Sequence, residues 1–456
     1  MDNKKSFIDP RESIKNLSMT SSQVIIISIC ILLNSIDGFD VLAISFASPG
    51  ISTEWQISQA ELGVVLAMEL IGMAIGSIII GGMADIYGRR PTILGCMILM
   101  IIGMLMCGIV TSVNQLLVFR FITGLGVGGM LASINALTAE FSNLKYRNLC
   151  VVLMAAGYPL GAVIGGSICS MLLRFFSWHA VFFFGSSLTT LLIVIVWFKL
   201  PESIDFIIHN KSATSLQKIN GVLSKINHQS VDALPPISHE NKKSTYIYKE
   251  LFSKSYRLLT ILLITAYFFD IFTFYYIVKW IPKLSTNIGL SDSHAGLILV
   301  WANIGGMIGA LIFGLFSSYI NLKRILLITL ICTFVMLCIF GNGFMMLGSY
   351  SSNYSISFYL SILAMITGFF SNSGVVGMYA LMAQSFPARI RSTGTGIVIG
   401  IGRGGAALSP IIAGVLFQYG FNVFITSSVM GMGALLAGLS IFILQRKKIS
   451  NTLQTI

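Results

Sequence analysis

Apolar runs at least as long as the roughly 18 residues that cross a bilayer recur along the whole chain, and they constrain the fold more than any other feature. A chain built of such runs has to be read in membrane spans. Twelve candidate helices lie between charged or turn-rich breaks, at about 24–48, 61–82, 91–111, 115–138, 148–172, 179–199, 257–281, 294–317, 323–343, 356–381, 393–418 and 421–444. Composition agrees: 10% of residues are charged, where a soluble domain carries about a quarter, and 44 Gly stand beside 10 Pro. A soluble enzyme is excluded. The seven cysteines sit singly in or beside apolar runs without metal spacing, which suits small packing residues. With no His cluster, nucleophile elbow or phosphate-binding loop, the chain offers no visible home for catalysis, a metal or ATP hydrolysis.

The expected fold is an all-α polytopic membrane protein with twelve transmembrane helices in two six-helix pseudo-symmetric halves. One polar stretch, Pro201 to Tyr256, separates the halves. The division is 1–23 as an N-terminal tail, 24–199 and 257–444 as the halves, 200–256 as a central loop and 445–456 as a C-terminal tail. Of the 29 Lys and Arg, 24 fall on one side of the spans; the other side keeps Arg174, Lys279 and Lys283. The positive-inside rule then places both termini and the central loop in the cytoplasm, with the chain in the cytoplasmic (inner) membrane. The surplus of +12 reads as topology and attraction to anionic lipid, so no nucleic-acid partner is called for.

An internal repeat supports two halves. A shift of 233 residues superposes Gly63, Gly72, Gly76 and Gly81 on Gly296, Gly305, Gly309 and Gly314, and Asp37 and Phe39 on Asp270 and Phe272. A shift of 244 puts Thr123-Gly124 on Thr367-Gly368 and Arg147 on Arg391. The eleven-residue difference falls to a longer connection near Gly341 to Ser355. Parallel six-helix repeats are a transporter architecture, with the substrate site between the halves near the midplane.

Six charges lie well inside the expected spans: Asp37, Asp40, Glu69, Arg120, Asp270 and Arg403. Each costs at least about 2.5 kcal/mol at a helix centre, which disfavours a lipid-facing position; buried ion pairs that fix helix packing are one reading, but ionisable groups in that setting default to transport roles. At about 1.5 Å rise per residue, Asp40, Glu69 and Arg120 fall at similar depth, with Arg403 and Asp270 nearer the middle. Four acids against two bases leave the empty site over-acidic, able to take up protons when an anion occupies the arginines.

The stretch Gly81-Gly82-Met83-Ala84-Asp85-Ile86-Tyr87-Gly88-Arg89-Arg90 resembles the loop between helices two and three of the major facilitator superfamily, with Ile86 in place of the usual Arg. The resemblance implies a cytoplasmic gate of Gly81, Asp85, Gly88, Arg89, Arg90, Glu140 and Arg147. In it Asp85 faces the start of helix eleven near Ser392 and Thr393, while Arg89 reaches Glu140. The second-half copy keeps Gly314 and Lys323-Arg324, but Ser318 and Asn321 replace the acid and the second glycine. Within the superfamily, Asp37-Gly38-Phe39-Asp40, Arg120, Asn135 to Phe141, Gly157-Tyr158-Pro159 and Gly402-Arg403 are similar to the aromatic acid:proton symporter family. That resemblance implies that Asp37 and Asp40 carry or relay the proton and that Arg120 and Arg403 meet the substrate carboxylate. Glu69 and Asp270 lie outside the family pattern; Asp270 enters by repeat symmetry, and both join the proton-coupling candidates.

The residue chemistry agrees. Arg holds its charge and offers a planar fork to a carboxylate, while an intramembrane Asp can be neutralised reversibly. Phe272 and Tyr379 are ring-contact candidates, and Asn34, Asn135, Asn303 and Asn372 suit ring hydroxyls, since a bare amide facing lipid is costly. The expected activity is proton-driven uptake of a small aromatic carboxylate, such as a hydroxybenzoate-like acid, by a single chain that needs no cofactor beyond the proton gradient. Symport of a non-aromatic organic acid in the same fold is the alternative. Drug antiport fits less well because Tyr158 and not Gly precedes Pro159, and sugar transport because Pro201-Glu202-Ser203 has no counterpart after helix twelve.

Overall fold

Cap chemistry decides where these helices begin and end, and it carries them past the apolar runs. The computed structural model describes residues 9–209, 214–233, 250–317, 319–347 and 353–446. Its spanning helices are α1 (Ser21–Trp55), α2 (Gln59–Tyr87), α3 (Arg89–Cys107), α4 (Val113–Glu140), α5 (Arg147–Leu172), α6 (His179–Lys199), α7 (Arg257–Asn287), α8 (Asp292–Phe316), α9 (Leu322–Leu347), α10 (Asn353–Ser385), α11 (Ala388–Gln418) and α12 (Val423–Arg446). All twelve are long and apolar enough to cross a membrane. Thr20 with Gln23, and Ser58 with Glu61, form capping boxes that start α1 and α2. Against the expected ends near 48 and 281, α1 continues to Trp55 and α7 to Asn287. Hydropathy marks only what matches the hydrocarbon; the helix continues until a stop signal such as left-handed Gln56. Ser318, Lys4, Lys5, Lys447 and Lys448 lie outside the described residues, as do the side chains of Arg389 and Ser392.

The repeat appears as two matching sets of close crossings. A β-carbon added at Gly72, Gly76 or Gly124 would strike backbone across the α2/α4 crossing, and one at Gly305, Gly309 or Gly368 would do the same across α8/α10. Gly38 and Gly161 press α1 on α5 as Gly402 and Gly405 press α11 on α7. Such small-residue stripes let helix backbones approach closely where lipid supplies no hydrophobic drive. Cys30, Cys96, Cys107, Cys150 and Cys169 are buried.

The halves meet through α2 with α11 and through α5 with α8, and these pairs diverge along their length. At the end away from the start of α1, here the far end, Gly63 abuts Pro410, Ile411 and Gly414, and Gly296 abuts Ser170. At the near end, β-carbons added at Gly81, Gly82, Gly314, Gly396 or Gly400 would meet nothing within 4 Å. The molecule is closed at its far end and parted at its near end.

The central stretch, expected as a loop, carries structure. Helices Ile204–His209 and Ser215–Lys225 bury Ile204, Ile207, Ile208, Ile219 and Leu223. The expected N-terminal tail holds a further helix, Pro10–Asn16, tied down where Ser13 Oγ meets His228 Nδ1 at 2.8 Å and His228 Nε2 meets Gln23 Oε1 at 3.4 Å. Burial lowers the His228 imidazole below its ordinary value, which keeps this link neutral.

Candidate functional site

Gly38 brings α1 onto the α5 backbone at Tyr158, and this crossing holds Asp37 and Asp40 between helices. Both are buried, at 2% and 0% exposure, and none of their four carboxylate oxygens has a hydrogen-bond partner among the described residues. Glu69 is fixed by Gly124, which packs against its backbone. Its carboxylate is bonded to the Arg120 guanidinium, whose Nη2 also donates to the Asp40 carbonyl at 3.1 Å. The guanidinium lies 5.6 Å from the centre of the Phe182 ring, so Arg120 is fully enclosed.

Lys279 corrects the charge count made from sequence. Expected at the mouth of the seventh span, it is fully buried: α7 runs on to Asn287, which puts it about 12 Å inside the helix end. Its Nζ donates to the Val41 carbonyl and lies 4.0 Å from Glu69 Oε2. The Ser291 cap of α8 was the available signal: with that helix starting at 292, α7 must run close to the turn at Gly289. Arg403 completes the group from α11, its Nη1 3.4 Å from the Met73 carbonyl and within electrostatic reach of Asp37. Counted as ionised groups, Asp37, Asp40 and Glu69 balance Arg120, Lys279 and Arg403, so the four-to-two excess of acids does not describe this cluster. Asp270 lies apart on α7 beside Gly374, with no ion-pair partner among the described residues.

Beside the cluster is a cavity of about 40 Å³ between α5, α7, α8 and α10, lined among others by Tyr158, Phe274, Asn303, Ser371 and Asn372. It is apolar with two amides and two hydroxyls, the lining expected of a small-molecule site, though it has room only for a few waters. Asn372 Nδ2 donates to the Gly306 carbonyl at 2.8 Å and Asn303 Nδ2 to Leu299 at 2.8 Å, which leaves their amide oxygens for a ligand. On the near side the Tyr267 and Tyr379 hydroxyls meet at 3.0 Å. Phe272 is half-buried against α12 near Gly433. Asn135 is exposed and belongs to neither cavity nor cluster, and Asn34 is taken up by the Met154 carbonyl at 2.7 Å.

The near-end motif forms a second network. Arg89 pairs with Asp85 at 3.0 Å and with Glu140 at 3.2 Å. Asp85 is largely exposed and, among the described residues, its ion partner is Arg89 and it makes no hydrogen bond to Thr393 at the start of helix eleven; the Ser392 side chain lies outside the described residues. Sequence reasoning missed the organising residues here, Glu202 and Ser203. Glu202 Oε1 accepts the Arg89 and Arg90 backbone N–H groups at 2.8 and 3.3 Å, and Ser203 Oγ donates to Glu140. Arg90 donates to the Trp197 carbonyl at 2.7 Å. Gly88 takes φ +106°, and Gly81 is open to its surroundings. Arg147 is exposed at the start of α5 with no ion pair among the described residues.

A pseudo-symmetric twelve-helix bundle with a charged, enclosed centre is a transporter's architecture, and comparison with known proteins agrees. The sequence profile of the Major Facilitator Superfamily matches residues 30–279 and 263–455. The chain is 30% identical over 444 residues to the 4-hydroxybenzoate transporter PcaK of Acinetobacter baylyi, covering 96% of this chain and 94% of that one. It is 28% identical over 439 residues to a gallate transporter of Pseudomonas putida, covering 95% and 94%. Among solved structures, the xylose transporter XylE from E. coli in its inward open conformation superposes with a TM-score of 0.70 at 16% identity, over 92% of this chain and 95% of that chain. The chain is therefore a multi-pass membrane transporter of the Major Facilitator Superfamily, with relatives among its aromatic-acid carriers.

Proposed function

We propose that this protein takes up a small aromatic carboxylate together with a proton. The observation that carries the reading is the balanced cluster of three acids and three bases with two donor-free carboxylates, Asp37 and Asp40, inside it. When a carboxylate anion joins a balanced, enclosed cluster, one negative charge is left over in a medium that stabilises it poorly, and one proton restores the balance. Asp37 and Asp40 are the acceptors, since no hydrogen bond competes for their oxygens. Arg403, half-exposed and weakly held by the Met73 carbonyl, receives the incoming carboxylate first. Arg120 is occupied by Glu69, which stands where a substrate carboxylate would bind once Glu69 lets go.

The lining between α5, α7, α8 and α10 supports an aromatic cargo, which the cavity of about 40 Å³ has to widen to admit. Phe274 and Tyr158 offer ring faces, and the free amide oxygens of Asn303 and Asn372 can accept from ring hydroxyls. The relatives that carry 4-hydroxybenzoate and gallate favour the same class. With the basic ends of the helices in the cytoplasm, the near end opens inward, and rocking of the halves alternates access.

Uptake of radiolabelled 4-hydroxybenzoate in cells expressing the chain tests this reading. Accumulation should collapse on adding a protonophore, and Asp37→Asn should abolish it while the protein still reaches the membrane. Accumulation indifferent to the protonophore, or competition by aliphatic acids equal to that by benzoates, would defeat the proposal.

A further inference from the structure

The charge cluster joins the halves as well as filling the centre. Val41 and Glu69 belong to α1 and α2 of the first half, and Lys279 reaches them from α7 of the second. Among the described residues this is the one ion pair that crosses between the halves. Along α7 it follows directly on the cavity-lining Phe274, Ile277 and Val278, on the side of the closed far end. A buried ammonium depends on its partners, so α7 cannot part from α1 and α2 there without exposing or re-housing it.

We propose that Lys279 is the clasp that holds the two halves shut at the far end, and that the charge on Glu69 sets its grip. Glu69 is faced by Arg120 from α4, by Lys279 from α7 and by Asp40 and Asp37 from α1. An ionised Glu69 serves both cations at once. A neutral one keeps a hydrogen bond to Arg120 but loses its pull on Lys279, and the far end is then free to open. The proposal rests on the transport reading only in that this opening is the step by which substrate would enter from that side.

Hydrogen–deuterium exchange of the purified full chain tests the clasp without substrate. In Lys279→Met, Glu69 keeps Arg120 as its partner. Exchange should rise about fivefold or more, the lower end for a coupling of this kind, in peptides covering 50–62, 283–292 and 408–420, and fall in 78–88 and 393–402. Glu69→Gln should give the same pattern, whereas Lys279→Arg should keep the parent profile. An unchanged Lys279→Met profile, or a rise spread evenly over both ends, overturns the clasp; a parent-like Glu69→Gln profile overturns the control assigned to Glu69. Should Lys279→Met fail to accumulate, Lys279→Gln takes its place and the same outcomes decide. A wrong cargo or coupling ion would show in the uptake assay and leave this measurement untouched.

Discussion

The carboxylate of Glu202 accepts the first N–H groups of α3, a task its own N-cap cannot perform because Gly88 stands there without a side chain. An anion at a helix N-terminus also complements the helix dipole. Glu202→Ala should therefore cost about 1 kcal/mol, as for loss of a helix cap, read as a lower unfolding midpoint in detergent; Glu202→Gln, which still offers an acceptor oxygen, should lose less. Gly88 cannot be relieved by substitution, since its φ of +106° suits glycine and a β-carbon would collide with Glu202. Residues of this kind mark the limit of what the sequence discloses. Asp37, Asp40, Glu69, Arg120, Asp270 and Arg403 are legible because a charge inside an apolar run has only a few outcomes. Lys279 is hidden by its place near the end of such a run, and Glu202 by partners more than a hundred residues away along the chain.

At the scale of elements, the glycine spacing makes the α2/α4 and α8/α10 crossings readable in advance, because the same residues recur at a shift of 233 on α2 and α8 and of 244 on α4 and α10. Gly124 packs against the Glu69 backbone, and its repeat partner Gly368 packs against Ala302. Gly124→Ala and Gly368→Ala should each destabilise by about 1–3 kcal/mol through overpacking, against little change for Gly400→Ala, where a β-carbon meets nothing; thermal midpoints of the purified variants give the comparison. The short helices of the central stretch escape such a reading. Their apolar residues Ile204, Ile207, Ile208, Ile219 and Leu223 are spaced for a helix but set in polar sequence, and the partner that buries them lies elsewhere in the chain.

For the whole molecule, α2 and α11 touch around Gly63 and Gly414 and have parted by Gly81 and Gly400. A carrier that rocks must bring the parted ends together and separate the closed ones. Gly81→Leu should leave the unfolding midpoint of this near-end-open form almost unchanged and yet slow uptake, because the added side chain obstructs only the opposite state. A parallel fall in midpoint and uptake would argue instead that Gly81 is a plain packing residue.

The two halves share their glycine framework and the Asp37/Asp270 position, but not the other ionic groups. Carried across the repeat, Asp40, Glu69 and Arg120 fall on Thr273, Ala302 and Ala364, and Ala302 lines the cavity. On the proposed function, the first half holds four of the six ionic groups, with Lys279 and Arg403 reaching in from the second, while the cargo cavity lies mainly on the second half with Tyr158 and Pro159 of α5. Cavity residues on α7, α8 and α10 can then be exchanged with little disturbance to the ionic machinery, which leaves this architecture free to change what it carries while keeping what drives it.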